Sequence, residues 1–199
     1  MYSVGVDEVG RGCVFGNVVA AAVILPDSFP DDTYLKIRDS KKVGKKEREM
    51  LDAYIRQHAI AYGVGESSVE EVDEYNILQA TFTAMHRACN KVYEKVSFTS
   101  ICVDGTMFRP YVSPDGKTIE ATCIIGGDAS NRSIAAASIL AKVHRDRQMM
   151  QLVAESPRLK EYGIHTNMGY GTPAHLKALK EYGITPHHRK SFAPVRNML

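Results

Sequence analysis

Val6-Asp7-Glu8-Val9-Gly10-Arg11-Gly12 places two adjacent carboxylates directly before a Gly-Arg-Gly turn, and the nearly unbroken apolar run Val18-Val19-Ala20-Ala21-Ala22-Val23-Ile24-Leu25 follows. Acids this close repel one another and are costly to hold near an apolar core unless a cation neutralises them. The stretch therefore predicts a strand carrying part of a divalent-metal site, with a backbone loop beside it able to approach a phosphate. The plain rival is a solvated strand end, which Asp-Glu before a glycine turn often marks. A dinucleotide-binding loop is excluded, because G-x-G-x-x-G needs glycine where Phe15 stands and the loop leads into a second strand-like run, not a helix.

Working outward, residues 2–9 and about 14–25 are β-branched and apolar and predict a hairpin. Asp39-Ser40-Lys41-Lys42 is a polar loop, followed by a charged helix over 45–57 with Leu51, Tyr54 and Ile55 inward, and a third strand over 59–64. The clearest helix spans 76–95, where Leu78, Phe82, Met85, Cys89, Val92 and Val96 form one apolar stripe. His86 lies off that stripe and is expected at the surface. A strand over 98–103 ends at Asp104-Gly105. The turn Ser113-Pro114-Asp115-Gly116 then leads into a strand in which Ile119, Ala121, Cys123 and Ile125 alternate, ending at Gly126-Gly127-Asp128. A second long helix covers 133–154, with Ala136, Ile139, Leu140, Val143 and Met150 inward. Thr172-Pro173 opens another helix, which Gly183 ends. The tail, His187 to Pro194, reads as basic and irregular. This order of elements predicts an α/β protein: a mixed five-stranded sheet, an antiparallel meander plus parallel strands, flanked by helices.

Composition narrows the class. At 199 residues and 44% hydrophobic residues, the chain suits a single domain (1–199), with about 155–199 as a helical appendage completing a cleft. A net charge of +2 admits a nucleic-acid partner without demanding one. Cys13, Cys89, Cys102 and Cys123 contain no C-x-x-C pair, so there is no zinc signature and reduced thiols are expected. The histidines lack zinc spacing as well. No run approaches a membrane span, and no apolar segment with a cleavage site opens the chain, so a cytoplasmic location and no membrane partner are expected.

Three strand ends thus terminate in carboxylates: Asp7 with Glu8, Asp104, and Asp128. In open α/β sheets, sites lie beyond such ends. Oxygen-only ligands suit Mg²⁺ or Mn²⁺, two of which can activate water and stabilise a leaving oxygen in phosphodiester hydrolysis. On a regular strand Asp7 and Glu8 point to opposite faces, so a twist or bulge toward Gly10 is needed for both to serve equally.

Seven motifs in order carry a resemblance over nearly the whole length: Asp7-Glu8-Val9-Gly10-Arg11-Gly12, Asp39-Ser40-Lys41-Lys42, residues 73–80 (Asp73 to Ala80), Val103-Asp104-Gly105, residues 133–143 (Ser133 to Val143), Gly169-Tyr170-Gly171-Thr172, and residues 188–194 (His188 to Pro194). The chain resembles the ribonuclease HII (type 2 ribonuclease H) family. That resemblance implies a ribonuclease H-like fold, an endonuclease acting on the RNA strand of RNA–DNA hybrids, and incision 5′ of single ribonucleotides in duplex DNA, leaving a 3′-hydroxyl and a 5′-phosphate. It implies Asp7, Glu8, Asp104 and Asp128 as the catalytic, metal-binding acids, with two Mg²⁺ or Mn²⁺ ions. It further implies that Gly10, Arg11 and Gly12 sense the 2′-hydroxyl, that Tyr170 stacks on the following sugar, and that Ser40 and Lys41 hold backbone phosphate. A monomer is expected.

The chain departs from the family pattern in three places. Gly126 stands where a lysine is usual, the 104–128 span is long, and Asn17 replaces a proline. Asp115 competes with Asp128 for the fourth acid but falls in a turn. Two other functions stay open beside the leading one. A ribonuclease HIII-like activity restricted to RNA tracts is opposed by Arg11, since that group typically lacks this arginine and carries an extra N-terminal domain. A catalytically silent hybrid-binding module is opposed by the presence of all four acids.

Overall fold

The computed structural model describes residues 1–199. In chain order the elements are β1 (Ser3–Val9), β2 (Val18–Ile24), α1 (Lys45–His58), β3 (Ala61–Ser67), α2 (Val69–Tyr93), β4 (Ser100–Asp104), β5 (Tyr111–Val112) and β6 (Thr118–Ile124). Then come α3 (Gly127–Ser130), α4 (Arg132–Glu155), α5 (Ile164–Asn167), α6 (Pro173–Tyr182) and α7 (Ala193–Arg196). The sheet order is β3-β2-β1-β4-β6-β5. β1, β2 and β3 form the antiparallel meander, and β4 and β6 add on in parallel with β1. The expected mixed sheet is therefore present, but with six strands rather than five. The sixth, β5, is two residues long and pairs with the start of β6 across the Ser113–Gly116 turn. So short a strand shows no alternation of its own to read.

β2 is buried along all seven residues because helices cover both its faces. Val18, Ala20 and Ala22 pack with Phe82, Met85 and Cys89 of α2, while Val19, Ala21 and Val23 pack with Leu51 and Ile55 of α1 and Ile139 and Leu140 of α4. Strand glycines let the helix backbones come close. A Cβ on Gly5 would lie 2.3 Å from the Ser133 carbonyl carbon, and one on Gly65 would lie 2.1 Å from the Ala84 carbonyl oxygen.

α2 begins before the apolar stripe. Ser68 and Glu71 form a capping box, and the helix breaks at Asn76, which takes φ 68°. The Asn76 side chain then caps the second segment by accepting from the N–H groups of Leu78 and Gln79. Farther along α2, Arg87, Lys91 and Lys95 reach across to the edge strand and donate to the carbonyls of Glu66, Val64 and Tyr62.

A third cluster (Phe15, Met149, Val153, Leu159, Tyr162, Leu179 and Val195 among its members) ties the C-terminal segments to the loop after β1. Three sequence expectations change here. Met149, not Met150, faces inward from α4. His86 is only partly exposed: it packs edge-on against Phe108 and Tyr111 and its ring nitrogen bonds the Arg109 carbonyl. The strand expected from about residue 14 begins at Val18, because Cys13 and Phe15 instead bridge to Tyr170 and His188. No helix is long and apolar enough to cross a membrane.

Candidate active site

β1 and β4 run parallel with Val6 opposite Val103, so Asp7 and Asp104 follow at the same level at the carboxyl ends of neighbouring strands. Asp7 shares the α4 face of the sheet with Gly5, and the Ser138 hydroxyl of α4 helps to hold it ionised. Glu8 follows on the opposite side, as strand geometry requires. Both nonetheless feel the charge of Asp104, because β1 ends there and Gly10 turns the chain at φ +91°. Asp128 enters from the first turn of α3, immediately after β6. The rival acid, Asp115, is remote in role: it is exposed and bonds Lys117 and Ser113 of its own turn and the Tyr93 hydroxyl at the end of α2.

The pocket is short of positive charge. Burial, then Glu8 and Asp104, raise the Asp7 carboxyl well above the usual carboxylate range. Burial also raises Glu8, although Arg11 works against it. Asp128 is raised by burial and by Asp39 and Asp104. Burial alone would lower the Lys41 ammonium, but Asp128, Asp39, Asp7 and Asp104 outweigh it and hold the group above its ordinary value.

Each acid is turned to a partner of its own. Glu8 faces Arg11 at 3.2 Å, Asp128 faces Lys41 at 3.6 Å, and Asp104 accepts from the Gly127 N–H at 2.7 Å. Asp7 accepts from the Glu8 N–H at 2.7 Å. As placed, no three acid, histidine or cysteine side chains converge on one point as a ligand set. The donors are nevertheless all carboxylate oxygens, crowded and under-neutralised, which fits hard divalent cations and not zinc.

The remaining predicted residues surround this group. Gly10 has no room for a side chain, since a Cβ would meet the Arg145 guanidinium at 2.4 Å; Gly12 has nothing within 4 Å and borders open space. Arg11 is half exposed beside Glu8. Lys41 is exposed, but Ser40 is turned inward, where its hydroxyl and that of Ser138 are 2.9 Å apart. Tyr170 is 44% exposed on a segment bridged to Cys13. Gly126 adopts a left-handed conformation (φ +64°) with open space about it, so no side chain fills the usual lysine position.

Sequence reasoning missed Arg145 and Arg189, both fully buried beneath the loop. The tail around His188, basic and irregular in sequence, is packed into the fold at its first residues. His188 and Arg189 are fully enclosed, and Asp73 anchors the chain there by accepting from the N–H groups of Lys190 and Ser191. A signal for Arg145 existed. It falls on the buried row Ala141, Arg145, Met149, Val153 of α4, a helical spacing at which a surface charge does not belong.

The family model for ribonuclease HII matches residues 4–195. A ribonuclease HII of Thermosynechococcus vestitus is 49% identical over 190 residues, covering 95% of this chain and 82% of that protein. One from Acinetobacter baylyi is 45% identical over 195 residues, covering 98% and 96%. Among solved structures, ribonuclease H2 from Pyrococcus horikoshii superposes with a TM-score of 0.79 at 25% identity, over 100% of this chain and 97% of that one. The family match runs from the strand that carries Asp7 to the helix that follows Arg189, and so takes in every element brought together at the acids. The chain belongs to the ribonuclease HII family of endoribonuclease hydrolases.

Proposed function

We propose that this protein hydrolyses the RNA strand of RNA–DNA hybrids and incises duplex DNA 5′ of single embedded ribonucleotides, leaving a 3′-hydroxyl and a 5′-phosphate. The observation that carries the reading is the under-neutralised group Asp7, Glu8, Asp104 and Asp128 beside a glycine loop that opens onto free space. Two divalent ions, Mg²⁺ or Mn²⁺, held by these four acids would supply acidity to water and charge stabilisation to the phosphodiester. The protein's own residues provide the rest. Gly12 lets backbone approach a 2′-hydroxyl, the group that separates RNA from DNA. Tyr170 offers an exposed ring for stacking on a sugar. Lys41 offers an exposed ammonium for phosphate, while Ser40 acts from inside by joining its loop to Ser138. The protein works as a cytoplasmic monomer, with RNA–DNA hybrids and ribonucleotide-containing DNA as its partners.

The test is incision of three labelled duplexes in Mg²⁺ and in Mn²⁺: one with a single ribonucleotide, one with an RNA tract against DNA, and one all DNA. Cutting 5′ of the lone ribonucleotide, lost in EDTA and absent on all DNA, is the expected result. Cutting confined to the RNA tract would overturn the junction reading, and intact binding without any cutting would overturn the enzyme reading. The Asp104→Asn variant should bind and not cut.

A further inference from the structure

Arg145 and Arg189 are both 0% exposed, and all their observed hydrogen bonds go to backbone carbonyls. Arg145 donates from Nε to Asn17 O at 3.1 Å, from Nη1 to Met168 O at 2.6 Å, and from Nη2 to Phe15 O at 2.8 Å. Arg189 donates to Gly16 O through Nε and Nη2 at 2.9 and 2.7 Å. Its Nη1 reaches Cys13 O at 2.7 Å and Arg11 O at 3.1 Å. Two guanidiniums, one from α4 and one from the C-terminal tail, thus collect five carbonyls of one loop.

Buried charge is costly, and two like charges in one place are more so. Burial and the nearby Arg145 lower Arg189 to about 10. Neutral side chains could brace a loop without that penalty, so the charges themselves call for a role. Turning the Arg11 carbonyl inward directs the N–H of the same peptide, that of Gly12, the opposite way, a backbone arrangement that attracts electron-rich atoms. The N–H groups of Arg11 and Gly12 make no hydrogen bond within the chain. Arg145 also holds Met168 O, at a residue in the left-handed conformation (φ 51°) two positions before Tyr170. One guanidinium therefore sets both the loop and the tyrosine segment.

We infer that Arg145 and Arg189 are positioning residues that set discrimination between ribose and deoxyribose, by locking the 10–17 loop with its carbonyls inward and the Gly12 N–H group presented to the sugar. The inference rests on the proposed reading that this loop meets the ribonucleotide. It does not involve either arginine touching substrate.

The test compares binding of two fluorescent duplexes that differ by one ribonucleotide. It uses the full-length Asp104→Asn protein in Mg²⁺, which keeps the substrate intact. Arg145→Lys and Arg189→Lys each keep the charge but not the fork of donors. Each should cut the preference for the ribonucleotide duplex by about tenfold, the size expected when hydrogen bonds from a charged group are lost. The corresponding glutamine variants should lose more. A loss of folded protein would weaken both duplexes equally and leave their ratio unchanged, so an unchanged ratio overturns the inference. Amide hydrogen exchange over 10–17 on the same samples provides a second readout. Exchange that is faster there than in the parent supports positioning, and exchange equal to the parent overturns it. If the Asp104→Asn parent shows no preference, the reading of the loop itself fails, and that failure appears before any arginine is changed.

Discussion

Replacing Gly5 with alanine tests how the site is framed. Gly5 lies two residues before Asp7 on the same face of β1, and a Cβ there would stand 2.3 Å from the Ser133 carbonyl carbon and 2.4 Å from the Ile134 nitrogen. Ordinary contact begins near 3.4 Å, so α4 and β1 must separate by about 1 Å. The obstacle is helix backbone, which cannot rotate aside as a side chain can. Overpacking of this kind sits at the upper end of its usual range, about 3 kcal/mol. For a chain of this size that lowers Tm by roughly 6–12 °C. Because α4 carries Ser138 toward Asp7, the same shift should also lower kcat/KM by about 100-fold. Gly65→Ala provides the control: its Cβ would meet the Ala84 carbonyl at 2.1 Å, but between β3 and α2, away from the acids. It should cost similar stability and leave the rate of the folded fraction unchanged. Thermal melts and steady-state kinetics on both variants decide the matter. A Gly5→Ala protein within about 2 °C of the parent would refute the close packing of β1 on α4. Equal kinetic losses in the two variants would refute its link to the site.

Three further outcomes are expected. His188, packed among His175, Thr185, Phe15 and Tyr162, is lowered from 6.5 to about 4 by burial and by His175. The folded state therefore holds it neutral. It costs nothing above about pH 6.5, and it removes about 3 kcal/mol of stability as pH falls toward 4. The urea midpoint should fall less steeply over that window in His188→Gln, and identical slopes would rule the effect out. Lys41→Ala should weaken ribonucleotide and all-DNA duplexes alike and reduce the slope of log affinity against log salt by about 1; a loss confined to one duplex would contradict the phosphate role. Asn76→Ala must hold a left-handed residue and loses a cap, at about 2 kcal/mol, whereas Asn76→Gly keeps the conformation and should cost about 0.5 kcal/mol. Chemical denaturation separates the two, and equal losses would show that the backbone conformation is not what matters there.

What the sequence made legible follows the range of the interactions. The strand carrying Asp7, the parallel strand ending at Asp104 and the α2 stripe were readable, because each rests on local alternation or helical period. The start of α2 was readable as well, from Ser68 and Glu71 three residues apart, but the stronger stripe beyond Asn76 masked it. Loop 10–17 was not legible. Its shape depends on Arg145, on Arg189 and on bridges to Tyr170 and His188, all distant in the chain. A basic tail reads as solvated when nothing local shows the carbonyls it will bond. Ser40 illustrates the same limit: a hydroxyl in a polar loop gives no sign that Ser138 will claim it.

The cations of α2 that lie along β3 have a consequence for how the protein behaves among other chains. Four residues of helix rise about 6 Å and two residues of strand about 6.7 Å, so Arg87, Lys91 and Lys95 keep step with Glu66, Val64 and Tyr62. Those outward carbonyls are the acceptors that an incoming strand would need. With them already occupied, and with charge laid along the rim, the exposed edge of the meander is closed to strand addition. At the far side β5 is too short to template another strand. The sheet therefore ends by construction at both margins, which should keep a concentrated or partly unfolded population from joining edge to edge.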